Sequence, residues 1–194
     1  MYKYTYEFFW WLKSITFLKL TGRERRFFIE AACETLRVHI AIIIRGTLKY
    51  ASRQGQHRVE TEAVAFDAQQ TEQVLQIKKA VIRCRHLVWA HKCSVVSIAG
   101  KRMLNRRQIP ATLYLGVAKD EKGKLIAHAW LRSGNIWVSG GRNRHQFTVV
   151  GFFSWCFVVL RDAFYSPSQY VCDSSFNSSV EICFLLITRH AQKI

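Results

Sequence analysis

Two residues in the middle of the chain have the types that acyl transfer needs. In "LVWAHKCSVVSIAGKRMLN", Cys93 stands at the head of a segment with helical apolar spacing, and in "LIAHAWLR", His128 stands inside an alternating one. A cysteine at a helix N-terminus feels the positive end of the macrodipole, which favours thiolate over thiol, and the unpaired N–H groups there can hold an oxyanion. A histidine on a neighbouring strand can take the thiol proton and later return it to a leaving amine. The pair points to nucleophilic attack on a carbonyl. Against it stands the ordinary role of a lone cysteine as a small buried residue, which is how Cys33, Cys84, Cys156, Cys172 and Cys183 read.

The same region invites a metal-site reading, because "CRHLVWAHKC" offers Cys84, His86, His91 and Cys93. Its spacing is not that of a zinc knuckle. On a helix Cys84 and His91 share a face while His86 and Cys93 point elsewhere, so no metal site and no cofactor are expected.

The elements that must position Cys93 and His128 can be read from periodicity. From Phe8 to about Tyr50 the pattern is helical, with Thr21 as N-cap and Glu24 three residues on, the spacing of a capping box. The polar stretch "ASRQGQHRVETEAVAFDAQQ" reads as a linker, after which Val74, Ile77, Val81 and Leu87 restore the helical period. The Cys93 helix follows and ends near "NRRQIP", because Pro110 forces its neighbour out of helical geometry. The period then changes to two: "ATLYLGVA", a "KDEKGK" turn, "LIAHAWLR", an "SGN" turn and "IWVS" predict three strands. His128 shares one strand face with Ile126 and Trp130, and Trp89 and Trp130 read as core aromatics. The chain divides into an N-terminal helical region and linker at 1–70, a core at 71–153, and a C-terminal tail at 154–194. Within that tail, "SPSQYVCDSSFNSSVE" reads as loop between two short apolar runs.

Composition narrows the function classes. Half the residues are apolar (49%), which is enough for a packed core, and the six cysteines lie at irregular spacings with no secretory signal before them. A cytoplasmic protein with reduced thiols is expected. The longest uncharged apolar run, residues 147–160, is too short to span a membrane, which takes about 18. A net charge of +16 suggests anionic partners, but the basic residues sit dispersed in "GRERR", "KRMLNRR" and "GRNRH". No nucleic-acid-binding motif accompanies them, so no nucleic acid is expected, and attraction to an acidic peptide or peripheral contact with an anionic membrane surface is left open.

Taken in order, "ERRFFIEAACETLRVHIAIII", "WAHKC", "YLGVA" at 114–118, "AHAW" at 127–130 and "GNIWVSGG" resemble the transglutaminase-like cysteine peptidase that removes the leader peptide in lasso-peptide biosynthesis, over about residues 8–153. The resemblance implies an α+β, transglutaminase-like or papain-like cysteine peptidase fold, with N-terminal helices followed by a small antiparallel sheet. It also implies Cys93 as nucleophile and His128 as general base. Its partners would be a precursor peptide, a separate leader-recognition protein and an ATP-dependent lasso cyclase.

The family's third group, an aspartate orienting the histidine, should come from the strand after "AHAW", near Gly140. No Asp or Glu occurs between Glu121 and Asp162. The acceptors that remain are Asn135, Ser139, a main-chain carbonyl, or an acid folded in from residues 60–72. Asn135 reads equally as a turn residue. Three other functions stay open: a transglutaminase-like acyltransferase, a non-catalytic scaffold of the same maturation complex, and a basic binder of nucleic acid or membrane.

Overall fold

The computed structural model of the chain describes residues 20–155 except Gln54 and Arg58. The helical reading of residues 8–19 and the tail reading beyond Trp155 lie outside the described residues.

The first helix, α1 (Gly22–Arg45), begins at the expected capping box. The Thr21 hydroxyl accepts from the Glu24 N–H, and the Glu24 carboxylate accepts from the Thr21 N–H. A short α2 (Thr47–Ser52) follows Gly46. The stretch read as a linker is more ordered than its composition suggests. It contains a two-residue strand, β1 (Gln56–His57), and then runs over the sheet. Thr61 is held there by the Thr112 hydroxyl, and Glu60 by Arg132. Helix α3 (Ala68–Cys84) starts at Asp67, whose carboxylate accepts from the Gln70 N–H, and α4 (Cys93–Asn105) begins at the cysteine itself.

Three strands lie where alternation predicts them: β2 (Ala111–Lys119), β3 (Leu125–Ser133) and β4 (Ile136–Ser139). A further strand, β5 (Thr148–Trp155), was not expected. It pairs with β1 and β2, giving an antiparallel sheet of order β1-β5-β2-β3-β4. Val149, Val150, Phe152 and Phe153 put apolar residues on both faces of β5, so no period-two signal marks it, although Val149 is exposed and Phe153 fully buried. Ser154 and Trp155, assigned to the tail by composition, belong to this strand.

One face of the sheet, carrying Leu113, Leu115, Ala129, Leu131, Val138 and Phe153, joins α1, α3 and α4 in a single core. At 0% exposure for Leu113, Leu115 and Leu131, each side chain contributes about 1.5–3 kcal/mol of hydrophobic burial. The architecture is the α+β arrangement of helices followed by a small antiparallel sheet. Three glutamates of α1 tie that helix to its neighbours. Glu34, 1% exposed, accepts from Arg102 of α4 and from Arg106 at its C-cap, Glu30 accepts from Arg106 and Arg107, and Glu24 pairs with Arg83 of α3. Those contacts fix α4, and therefore Cys93, against the rest of the molecule.

Candidate active site

Strand β4 pairs with β3 only over Leu131 to Ser133, so the β3 edge is free of its neighbour just beyond Leu131. The N-terminal half of α4 covers that edge. Cys93 and Ser97, four residues apart, lie on one helix face. The Ser97 hydroxyl lies 3.2 Å from the Ala129 carbonyl, and the Ala129 N–H donates to the Cys93 sulfur. Both edge groups of Ala129 are thereby satisfied by α4 side chains, which places the sulfur beside the preceding residue, His128.

Cys93 and His128 lie against one another, close enough that each shifts the other's titration. The other imidazole nitrogen, Nε2, lies 2.9 Å from the Gly140 carbonyl oxygen. A carbonyl can only accept, so Nε2 carries the proton, and Nδ1 is the nitrogen left for the sulfur. The neutral ring is thus held in the tautomer that can take the thiol proton.

The electrostatics follow from these contacts. Burial pushes the Cys93 thiol up, but the hydrogen bond and charge of His128 and the N–H groups of Ala129 and Ser94 outweigh it, leaving the thiol below its ordinary range. The imidazole is raised above its usual value, chiefly by its bond to Cys93 and also by the Gly140 carbonyl, against desolvation and the charge of Arg85. Opposite shifts in two touching groups favour transfer of the thiol proton to the ring. Cys93 is partly exposed, so an electrophile can reach it. Cys84 is the contrasting case: it is fully buried, its thiol is pushed up to about 12 by desolvation, and it lies 4.0 Å from the Phe28 carbonyl.

The acceptor on His128 stands where the missing aspartate was expected, and it is main chain. Gly140 has φ +66°, and a Cβ there would come within 2.5 Å of the Ala129 carbonyl and 2.9 Å of Trp130 Cβ. Only glycine lets the backbone pass so close to β3. The side chains considered for this role are elsewhere. Asn135 is exposed in the turn between β3 and β4, about 17 Å along the strand direction from His128 at ~3.4 Å per residue. Ser139 is 7% exposed, and its hydroxyl pairs with Ser97 at 2.8 Å. Of the four acids at 60–72, Glu60 binds Arg132 and Tyr114, Glu62 is exposed, Asp67 caps α3, and Glu72 contacts Gln76 and Arg23.

Aromatic rings support the histidine. Trp130 stacks on His128 with centroids 5.8 Å apart and on Tyr114 at 5.7 Å, while Phe147 leans on the imidazole at 4.9 Å. Trp130 needs Gly116 opposite, since a Cβ there would lie 2.7 Å from its ring; this is the physical reason for glycine in "YLGVA". Beyond Trp130 lies an open depression of about 450 Å³ lined by Tyr114, Trp137, Arg132 and Arg144. Trp89 is a packing residue whose indole donates to Thr35 on α1.

Ser97 was not legible as a site residue, since a serine inside an amphipathic helix carries no signal until the strand edge beneath it is known. The four groups of "CRHLVWAHKC" do not converge. The Cys84 thiol faces Phe28, His91 Nδ1 bonds the Val88 carbonyl at 2.7 Å, and among the described residues no group of three or more His, Cys, Asp or Glu could hold a metal ion. No helix among the described residues is long and apolar enough to cross a membrane.

Comparison with known proteins agrees with this geometry. A family model described as the transglutaminase-like superfamily matches residues 36–151, more than half of the chain. Neither a curated protein nor a solved structure matches it.

Proposed function

The chain belongs to the transglutaminase-like superfamily, and from that premise we propose that it is a cysteine peptidase that removes the leader from a ribosomally made lasso-peptide precursor. The observation that carries the catalytic part is the juxtaposition of Cys93 and His128, which lowers the thiol and raises the imidazole. The "WAHKC", "YLGVA" and "AHAW" motifs support the choice of substrate.

In this reaction the Cys93 thiolate attacks the carbonyl carbon at the leader-core junction. The first turn of α4 has no capping side chain, since Lys92 supplies none, so its N–H groups can receive the oxyanion. As the C–N bond breaks, the imidazolium gives its Nδ1 proton to the departing amine, which leaves as the free core peptide. The leader remains on sulfur as a thioester. Neutral His128 then takes a proton from water, hydroxide adds to the thioester, and the leader carboxylate and thiol are released. The Gly140 carbonyl keeps the ring oriented through both proton transfers. Partners of this reaction are a stand-alone leader-recognition protein, which delivers the precursor, and an ATP-dependent cyclase, which uses the freed amine. The site of action in this reading is the cytoplasm.

The test is incubation of the protein with a precursor and a leader-recognition protein encoded beside its gene, read by mass spectrometry. Hydrolysis of one amide by the wild type and none by Cys93→Ala is the expected result. An amine adduct in place of the hydrolysed leader would assign acyl transfer instead, and an intact precursor with both proteins would leave a scaffold.

A further inference from the structure

The loop that follows β4 carries an arginine that is held in place without a carboxylate to hold. Arg37, Arg83, Arg102, Arg106, Arg107 and Arg132 each donate to a glutamate. Arg144 meets no carboxylate among the described residues. One of its Nη groups donates to the Gly141 carbonyl at 2.7 Å, and its guanidinium lies over the Trp137 ring at 4.4 Å. Trp137 is itself seated against Gly141, where a Cβ would come within 2.7 Å of it. A long side chain fixed in this way has already given up much of its rotamer freedom, and its planar fork still offers donors to an anion.

Arg144 stands on the rim of the open depression of about 450 Å³ beyond Trp130. Tyr114, Trp130 and Trp137 wall it, and Glu60, the acid that lines it, is taken up by Arg132 and Tyr114. Two arginines against one glutamate leave the depression positive. The exposed Arg142 adds to this charge, and no acid occurs in the sequence from Lys122 to Trp155. Aromatic walls under a positive rim suit a group with an apolar stem and an anionic end.

Its place fixes which part of a substrate reaches it. The depression continues from the histidine, since Trp130 stacks on His128 and Tyr114 on Trp130. His128 gives its proton to the departing amine, so the residues after the cleaved bond pass over His128, whereas those before it stay with the sulfur at the start of α4. From the amine, two or three extended residues at ~3.4 Å each cross these rings to the rim.

We propose that Arg144 is a specificity-determining residue that pairs with an aspartate or glutamate of the substrate two or three residues beyond the cleaved bond, the stem of that side chain packing on Tyr114 and Trp137. The inference takes its direction from the peptidase reading, and it adds a substrate class: peptides that are acidic on the side released as the amine. The two glycines after β4 then serve together, the first carbonyl on His128 and the second on Arg144.

The experiment uses the full chain and three synthetic peptide amides with a free amino terminus, Gly-Gly-Glu-Gly, Gly-Gly-Gln-Gly and Gly-Gly-Lys-Gly, which stand for the released end and need no cleavage to bind. Binding is read from tryptophan fluorescence and from protection of Cys93 against iodoacetamide. The glutamate peptide should bind about fivefold tighter than the glutamine one at low salt, a modest factor because the arginine is exposed, and the lysine peptide should bind most weakly. Arg144→Gln should erase the glutamate preference, while Arg142→Gln, in the same loop but outside the depression, should keep it, with circular dichroism reporting that both variants stay folded. Equal binding of the glutamate and glutamine peptides would overturn the proposal, as would a preference that survives Arg144→Gln, an equal loss in Arg142→Gln, or no binding of any peptide at ~10 mM. Hydrolysis of the precursor judges the peptidase reading separately. A glutamate preference that depends on Arg144, without hydrolysis, would support this site and remove that reading, and hydrolysis with no such preference would sink this inference alone.

Discussion

Replacing Gly140 by alanine disturbs the carbonyl that orients His128 while leaving both reacting side chains in place. The position has φ +66°, where a side chain costs about 1–2 kcal/mol. The new Cβ would also sit 2.5 Å from the Ala129 carbonyl, a backbone atom that cannot swing away, so the turn after β4 must move outward. That movement carries the Gly140 oxygen from its 2.9 Å contact with His128 Nε2. A hydrogen bond to a charged group contributes about 1.5–3 kcal/mol, and because water can partly replace the carbonyl the lower end applies, roughly a tenfold loss of the thiolate-imidazolium pair. Iodoacetamide alkylation of Cys93 at pH 7, followed by peptide mass mapping, should therefore slow about tenfold. Gly123→Ala is the control: its φ is +73°, nothing lies within 4 Å of its added Cβ, and it sits in the turn that precedes β3. It should lose comparable stability, with alkylation unchanged. Equal alkylation rates in Gly140→Ala and wild type would refute the claim that this carbonyl orients the histidine.

Iodoacetamide should label Cys93 before Cys33 and far before Cys84, whose thiol is buried and pushed up to about 12; first labelling of Cys84 would contradict the assigned environments. Asn135→Ala should leave both stability and alkylation unchanged, while Ser139→Ala, which strips a buried partner from Ser97, should lower stability by about 1–2 kcal/mol in urea titration with little effect on alkylation. Lys101 is fully buried against the carbonyls of Ala111 and Phe153, and desolvation pulls its ammonium down to about 7. The unfolded chain, with a lysine near 10.4, then binds more protons than the folded one between about pH 7 and 10, so this group makes stability rise with pH across that window. Lys101→Met should flatten that rise in denaturant midpoints measured from pH 6.5 to 9.5, and an unchanged slope would show that the ammonium is not the cause.

The parts of the fold that could be read from sequence are those whose two sides differ in chemistry. Helix α1 shows its cap at Thr21 and Glu24, and β2 and β3 show alternation because Leu113, Leu115 and Leu131 on the core face alternate with Thr112, Tyr114 and Arg132 on the other. Strand β5 lacked that signal, since "VVGFFSW" is apolar on both faces. The segment at 53–67 looked like a linker because its ordering depends on distant partners, the buried Thr112 and Arg132, and not on its own period. At the site, the types of Cys93 and His128 and their places on a helix start and a strand were legible. The orienting group was not, because a carbonyl has no letter in the sequence. What could be seen was a pair of glycines at 140 and 141 where an acid was expected, and the structure makes the first of them the hydrogen-bond acceptor.

The most direct test of the central claim is the pH profile of Cys93 alkylation in wild type and His128→Ala. If the two residues form an ion pair, the wild-type rate should reach its plateau below the pH of an ordinary thiol, about 8.5, and His128→Ala should shift the rise to higher pH and slow alkylation at pH 7 at least tenfold. Superimposable profiles would mean that His128 does not govern the sulfur, and the acyl-transfer account would fail.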